Sequence, residues 1–262
     1  MILTRRAALG GSQLDSQDTS IVIRSTNPGT PQETVNTVSL MGGSGQRIAG
    51  RHYEMLEASV AYAIDKPKKQ LTARRAVFDR VNAWALNKGW LTMNCMSGKR
   101  MWVEDVVIPS SGDLFNWTDE YTITFKAYGV PFWQDDTATE VTIAAADSGV
   151  GTITVPGVAE TVCYAEITNV SGSTINTMSV TIGSSSFSFS NLGLADDEVL
   201  MIGHQNNGVL FIRIYDGNLY RDAYGKRTGG SADDLYVNPG SNDITITGGS
   251  VTATVSCYGR YV

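Results

Sequence analysis

The sequence has few of the residues on which most enzymatic and metal sites depend. Its 262 residues include two histidines and three cysteines, and no two cysteines have the Cys-x-x-Cys spacing of a zinc or redox motif. His52 and His204 are far apart in the chain, and neither is accompanied by a nucleophile motif. We therefore predict that the protein is not an enzyme and has no catalytic residue, metal site or cofactor. The three thiols are expected to be reduced and mostly buried.

Charged residues are scarce as well. They make up 18% of the chain, against roughly 25% in an average soluble domain. Neutral polar residues and 27 glycines must therefore cover the surface, which is typical of strands and turns. The net charge is −6, and an acidic chain is poorly suited to holding the phosphate backbone of a nucleic acid.

Long apolar runs are absent too. No segment approaches the roughly 20 apolar residues of a membrane span, and the first residues lack the apolar core of a signal peptide. We expect a protein that is made in a cytoplasm and is not inserted in a membrane.

Carboxylates occur in three short runs, Asp135-Asp136, Asp196-Asp197-Glu198 and Asp233-Asp234. We interpret them as solvated turn residues, with calcium ligation and a catalytic carboxylate pair as alternatives. The glycine-rich run Gly42–Gly45 lacks the Gly-Lys-Ser/Thr ending of a phosphate-binding loop, so it is interpreted as a flexible loop.

Helical periodicity predicts one helix near residues 68–88. Val77, Val81 and Trp84 fall on one stripe at three- and four-residue steps, so they are predicted to anchor the helix to the core. Gly89 is expected to stop it in a left-handed conformation. The segment is locally basic, which we interpret as a solvated face, with a contact to a partner subunit as the alternative. Its basic residues are Lys66, Lys68, Lys69, Arg74, Arg75 and Arg80.

Strand patterns dominate the remainder. Tyr53–Ile64 is predicted to be one long strand, and Tyr121–Ala127 alternates strictly between apolar and polar residues. Beyond residue 138 short strands follow turn residues, with Asn207-Gly208 as the strongest hairpin indication. The sequence thus predicts a mainly β protein: residues 1–138 form a β-sandwich with one flanking helix, and residues 139–262 form a second β-sandwich.

The second domain is rich in tyrosine. Most of its aromatic residues are expected to pack between sheets. Tyr215, Tyr220 and Tyr224 lie near predicted loops, where exposed rings could contact a glycan.

Three stretches of the first domain follow one another in a distinctive order. Gly45–Arg51 leads into the predicted strand Tyr53–Ile64, and Arg74–Trp84 precedes Gly89-Trp90-Leu91. Ile123–Trp133 then ends in aromatic, proline and tryptophan residues. In this order the stretches resemble the distal tail protein of long-tailed, siphovirus-type bacteriophages, in which the same ending closes the domain. The second half resembles the family's galectin-like sandwich in architecture, and the short chain resembles its compact members.

The resemblance implies a structural virion protein at the distal end of the tail. Residues 1–138 would form a belt in a homo-hexameric ring, a hub that joins the tail tube to the tail tip or baseplate. The implied partners are the tail-tube protein and the tail-tip or baseplate hub proteins, with DNA passing through only as cargo. Two alternatives stay open: a host-glycan-binding module of the tail tip, and a glycan-degrading tail enzyme. We also expect the basic stretch 66–80 to lie away from the channel wall, because cations there would hold the DNA backbone.

Overall fold

The computed structural model describes residues 6–31, 33–39, 46–67, 70–110, 120–205, 209–230 and 235–262. The protein is mainly β, as predicted, and its described residues contain one α-helix. It divides into two compact units, Met1–Trp133 (unit 1) and Gln134–Val262 (unit 2). The predicted boundary at residue 138 lies a few residues beyond this division, and the ring-forming and galectin-like assignments of the two halves stay predictions.

Unit 1 contains two antiparallel sheets and a separate two-stranded ribbon. One sheet has the order β3-β6-β10-β9, the other contains β2-β1-β7-β8, and the ribbon is β4–β5. The strands are β1 (Ala7–Leu9), β2 (Ser12–Gln13), β3 (Ile21–Asn27), β4 (Glu33–Ser39), β5 (Gln46–Tyr53), β6 (Leu56–Ile64), β7 (Gly89–Met93), β8 (Lys99–Val103), β9 (Asp105–Val107) and β10 (Tyr121–Ala127).

The centre of unit 1 is the pair β6–β10. The predicted alternation of β10 is confirmed, because Tyr121, Ile123, Phe125 and Ala127 are all buried. The prediction of one strand over residues 53–64 is wrong. β5 ends at Tyr53 and pairs with β4, whereas β6 begins at Leu56 and pairs with β3 and β10, so the chain changes sheets between them.

The helix, α1, covers Leu71–Leu86. Val77, Val81 and Trp84 of the predicted stripe are buried, and Phe78 is buried beside them. The Trp84 ring meets Phe125 of β10 edge to face, at 6.0 Å between ring centroids. The helix therefore lies against the sheet that contains β10.

The end of α1 differs from the prediction. Lys88, with φ of 56°, takes the left-handed position after the helix, and Gly89 is the first residue of β7. The Lys88 ammonium donates a hydrogen bond of 2.8 Å to the carbonyl of Glu104. This tertiary contact offsets the steric cost that a side chain normally brings to a left-handed backbone.

Unit 2 contains a ten-stranded curled antiparallel sheet and two short strands, β11 and β22, which are not part of that sheet. Its main order is β18-β17-β16-β13-β21-β14-β15-β19, while β12 pairs with β21 and β20 pairs with β13. Its strands are β11 (Trp133–Asp135, at the boundary between the units), β12 (Thr139–Val155), β13 (Thr161–Asn169), β14 (Met178–Ile182), β15 (Ser185–Phe189), β16 (Val199–His204), β17 (Leu210–Tyr215), β18 (Tyr220–Asp222), β19 (Arg227–Gly230), β20 (Tyr236–Val237), β21 (Gly240–Cys257) and β22 (Arg260–Tyr261).

One long strand produces the curl. The first half of β21 pairs with β14 and its second half with β13, and between them Gly248 and Gly249 have φ of 124° and 157°. A Cβ on Gly248 would lie 2.2 Å from the carbonyl oxygen of Thr177, so this bend requires glycine. The strand thus passes from one layer to the other, and the two layers enclose one apolar core.

The prediction that only short strands follow residue 138 is wrong for β12 and β21, which have 17 and 18 residues. The apparent breaks are a register irregularity near Ala146 and the bend at Gly248 and Gly249. The predicted hairpin between β16 and β17 has its paired strands, as Gly203 lies opposite Phe211. Its turn residues Asn207-Gly208 lie outside the described residues, as do Gly42–Gly45, Asp233-Asp234, Lys68 and Lys69.

Candidate functional site

The outer face of unit 2 carries a row of aromatic side chains around one arginine. Along β17, Ile212 and Ile214 are buried in the core, at 1% exposure each. Phe211, Arg213 and Tyr215 alternate with them and therefore project from the opposite, outer face of the sheet. We call Tyr164, Phe211, Arg213, Tyr215 and Tyr220 the aromatic row.

Each member of the aromatic row touches the next. Tyr164 of β13 lies 6.2 Å from Phe211, measured between ring centroids. The guanidinium carbon of Arg213 is 4.5 Å from the Phe211 centroid and 4.2 Å from that of Tyr220. Tyr220 in turn stacks on Tyr215 at 4.7 Å with 30° between the planes. Arg213 is therefore clamped between two rings, an arrangement that favours its cation electrostatically.

A glycine makes the row possible. Gly203 of β16 lies opposite Phe211 in the register. A Cβ at this position would lie 2.4 Å from Cδ2 of Tyr164 and 3.1 Å from Cζ of Phe211. The two rings can approach each other across β16 only because residue 203 has no side chain.

The charge of Arg213 is not neutralised by the described residues. Its Nε is buried without a hydrogen-bond partner there, and no ion pair of the described residues includes it. Asp222 is its register partner on β18, but the Asp222 carboxylate accepts the amide N–H of Tyr224 at 3.3 Å. Glu166 accepts the hydroxyl of Tyr164 at 2.5 Å. Burial, with this hydrogen bond, raises the pKa of Tyr164, so its proton stays in place at neutral pH.

Sequence reasoning located part of this row. Tyr215 and Tyr220 belong to it, whereas Tyr224, at 50% exposure, lies in the short 3₁₀ turn Tyr224–Lys226 and takes no part in the ring contacts. Arg213, the charged centre of the row, was missed. The available indication was the alternation of Phe211, Arg213 and Tyr215 with two isoleucines, which marks one face of a strand.

The basic segment of unit 1 has a buried member, Arg74, for which the interpretation as a solvated face is wrong. Arg74 is 5% exposed. Lys66 and Arg80 both pair with Asp18, at 3.7 Å and 2.5 Å. The side chains of Arg80 and Arg75 are 54% and 51% exposed, as expected for a solvated face, and Arg75 pairs with Asp79 at 2.9 Å.

The acidic run Asp196-Asp197-Glu198 forms hydrogen bonds and an ion pair with neighbouring loops and strands of unit 2. Glu198 is 9% exposed, so the interpretation as a solvated residue is wrong for it. It pairs with Arg221 at 2.5 Å and accepts the amide N–H of Ala195 at 2.7 Å. Asp196 accepts the amide N–H of Gly172 at 2.8 Å. Within the part of the chain that the structure describes, no group of three or more histidine, cysteine or carboxylate side chains is placed to hold a metal ion.

Among the described residues, no helix is both long and apolar enough to cross a membrane.

The sheet β3-β6-β10-β9 of unit 1 has two exposed outer strands. Its outermost strands are β3 and β9. Val22 on β3 is 38% exposed and Val107 on β9 is 49% exposed. An open cleft of about 660 Å³ lies beside β3 and is lined by Arg24, Lys66 and Arg74 among others.

This two-unit, mainly β architecture is similar to those of solved bacteriophage tail and baseplate proteins. The crystal structure of the Dit protein (gp 19.1) of phage SPP1, described as a paradigm of the hub adsorption apparatus in phages infecting Gram-positive bacteria, matches with a TM-score of 0.66. The match covers 98% of this chain and 99% of that chain at 11% identity. A chain of the phage P2 baseplate, in its activated conformation with Ca, matches with a TM-score of 0.50 at 8% identity, over 99% of this chain and 100% of that one. No protein-family model and no curated protein matches the sequence.

Proposed function

We propose that this protein is a structural component of a phage virion, the hub at the distal end of the tail. The observation that carries the proposal is the fold match to the SPP1 hub protein, which extends over nearly the full length of both chains. The hub joins the tail tube to the tail tip or baseplate as a hexameric ring built mainly from residues 1–138. Its partners are the tail-tube and baseplate proteins, and DNA is transient cargo.

Two features of unit 1 support ring formation. The outermost strands of a sheet can offer unpaired backbone groups to a neighbouring chain, and among the described residues β3 and β9 are the outermost strands of this sheet. A ring needs contacts between two different surfaces of each subunit, and two unlike edges meet that need. The edges also differ in charge, since Arg24 and Lys66 line the cleft beside β3 whereas β9 begins with Asp105.

The ring is tested with the full-length protein. Native mass spectrometry of the purified chain should give a hexamer, and electron microscopy should show a ring. Val22→Lys and Val107→Lys place a charge on each outermost strand and should shift the particle to monomer. Val150→Lys in unit 2, where the side chain is 70% exposed, is the matched control and should leave assembly intact. A wild-type chain that stays monomeric at every concentration, alone and with its tail-tube protein, would contradict the ring.

The proposed role is not enzymatic. The buried and paired state of Glu198 supports this, because a carboxylate that is bound to Arg221 and a backbone amide has no free oxygen for proton transfer. Hydrolysis of purified host cell-wall polymer by the chain, lost on one carboxylate-to-amide substitution, would overturn the assignment.

The aromatic row favours a second candidate function, binding of a host-surface glycan. The two rings lie next to the Arg213 guanidinium, and guanidinium groups recognise carboxylates and phosphates in their own plane. An acidic sugar would pair with Arg213 and place its C–H groups against Tyr220. This function is compatible with the hub, because it concerns the outer face of unit 2.

The second candidate is tested by titrating a glucuronate-containing oligosaccharide and its neutral glucose counterpart into the protein, with detection by NMR. The acidic sugar should bind at least tenfold more tightly, and Arg213→Gln and Gly203→Val should each abolish this difference. The control is Arg227→Gln, which removes another ring-stacked arginine, 4.3 Å from Phe187. Equal binding of both sugars, or unchanged binding by Arg213→Gln, would refute the proposed site.

A further inference from the structure

Two cysteines lie directly opposite each other in unit 2. Cys163 of β13 and Cys257 of β21 are register partners, so they occupy facing positions on adjacent antiparallel strands. Both are 1% exposed and belong to the same apolar core, so both side chains point to the inner face of the sheet. They are free thiols in this structure.

The backbone hydrogen bonds identify the kind of register position. The amide N–H of Cys163 donates to the carbonyl of Leu235, at 3.1 Å, on the side away from β21. In an antiparallel strand, the N–H and C=O of one residue point to the same side. The Cys163–Cys257 pair is therefore a non-hydrogen-bonded pair with respect to β21. In such pairs the Cα atoms lie about 4.5 Å apart, which is within the range of disulfide-bonded residues.

The two thiols also influence each other's titration. Their mutual interaction lowers the pKa of Cys257 and raises the pKa of Cys163, which burial raises further. Cys257 is therefore the thiol that more readily loses its proton and acts as the nucleophile.

We propose that Cys163 and Cys257 are a disulfide-forming pair that crosslinks β13 to β21 when the protein meets an oxidising environment. The oxidant is a low-molecular-weight disulfide. The Cys257 thiolate attacks one of its sulfurs and releases one small thiolate, which leaves a mixed disulfide on Cys257. The Cys163 thiol then loses its proton, its sulfur attacks the Cys257 sulfur, and a second small thiolate leaves. Two protein thiols are oxidised to one disulfide, one small disulfide is reduced, and the two protons lost by the protein thiols end on the two small thiolates, which become thiols.

The position of the pair explains how a buried thiol is reached. Cys257 is the last residue of β21, and Cys163 lies near the beginning of β13. Strand ends open more readily than strand centres, so exposure needs only a local opening. Once formed, the bond closes a long loop of chain and stabilises unit 2 against unfolding. If the proposed tail function holds, the occasion for oxidation is release from the reducing cytoplasm of the host.

The test uses the purified full-length chain, oxidised glutathione and native buffer. After trapping with iodoacetamide, peptide mapping should find the Cys163 peptide linked to the Cys257 peptide. The melting temperature should rise by about 5 °C and return to its original value with dithiothreitol. Cys163→Ser and Cys257→Ser should each abolish both changes. Cys95→Ser, which removes the exposed third thiol, should leave both changes intact.

Cys95 also reports that the oxidant is active, because an exposed thiol should become glutathionylated. If Cys95 is modified while Cys163 and Cys257 react with iodoacetamide only after unfolding, the proposal is wrong. It is equally wrong if the crosslink forms only in urea. The measurement reads a covalent bond within one chain, so its outcome is separate from that of the ring experiment.

Discussion

Arg74 and Tyr121 are joined by a hydrogen bond in the interior of unit 1, 3.1 Å from Nη2 to the phenolic oxygen. Arg74 also donates to the backbone carbonyls of Ile64 and Lys66, at 3.0 and 2.9 Å. One guanidinium therefore joins α1 to the end of β6, to the segment that follows it and to β10. Three oxygen atoms in or near the core accept hydrogen bonds from this guanidinium, so the Arg74 side chain stabilises unit 1. The neighbouring basic residues in the sequence had instead suggested a surface position.

We expect Arg74→Gln to destabilise the protein by about 2–4 kcal/mol, because buried acceptors lose their donors. Urea unfolding followed by fluorescence measures the change. Arg75→Gln is the matched control on the same helix. Its ion pair with Asp79 is half exposed on both sides, so the loss should be under about 0.5 kcal/mol. Equal effects of the two substitutions would show that the buried network contributes nothing.

Trp84→Ala should cost about 3–5 kcal/mol, because a buried ring that contacts Phe125 is replaced by a cavity. Trp84→Phe keeps most of the packing but loses the hydrogen bond of 2.9 Å from the indole N–H to the Ser12 carbonyl, so about 1 kcal/mol is expected. Leu86→Ala, on the same helix at 53% exposure, should be close to neutral. A melting temperature unchanged by Trp84→Ala would indicate that the helix is held by assembly contacts instead.

Stability should fall in acid through Glu198. Its hydrogen bond with Arg221 lowers the pKa of Glu198 below the ordinary value. A carboxyl group whose pKa is lower in the folded state stabilises the fold above its unfolded pKa, and this contribution disappears as the pH falls through the folded pKa. The loss should therefore begin near pH 4 and continue below it.

Thermal unfolding between pH 3 and pH 7 measures this effect. Glu198→Gln should lower the melting temperature at pH 7 and flatten its decline in acid. Asp222→Asn on β18, at an exposed position, serves as the control and should leave the profile unchanged. A Glu198→Gln profile parallel to that of the wild type would show that the ion pair does not contribute.

The sequence by itself determined the class of fold and the local elements. A low content of charge and many turn residues predicted a mainly β chain, and period-2 alternation located β10 with its buried residues. A stripe at three- and four-residue steps located α1 and the buried side chains Val77, Val81 and Trp84. These features are encoded between near neighbours in the chain, because periodicity reflects which side of an element faces the core.

Only the tertiary structure decided which distant residues meet. From the sequence alone, Arg74 would be assigned to the surface as one of several cations of a basic helix. In the structure it is hydrogen-bonded to Tyr121 of β10, which is 47 residues away in the chain. From the sequence alone, Gly203 is an ordinary glycine in a strand. The structure shows that Tyr164 and Phe211 pack over it, where a side chain would clash with both rings. Cys163 and Cys257 have no motif between them, and they face each other because β21 bends and returns beside β13. Helix packing on the sheet brings Arg74 to Tyr121, and pairing between strands that are distant in the chain brings the other residues together. Local periodicity does not specify which distant elements become neighbours, so these contacts could not be predicted from the sequence.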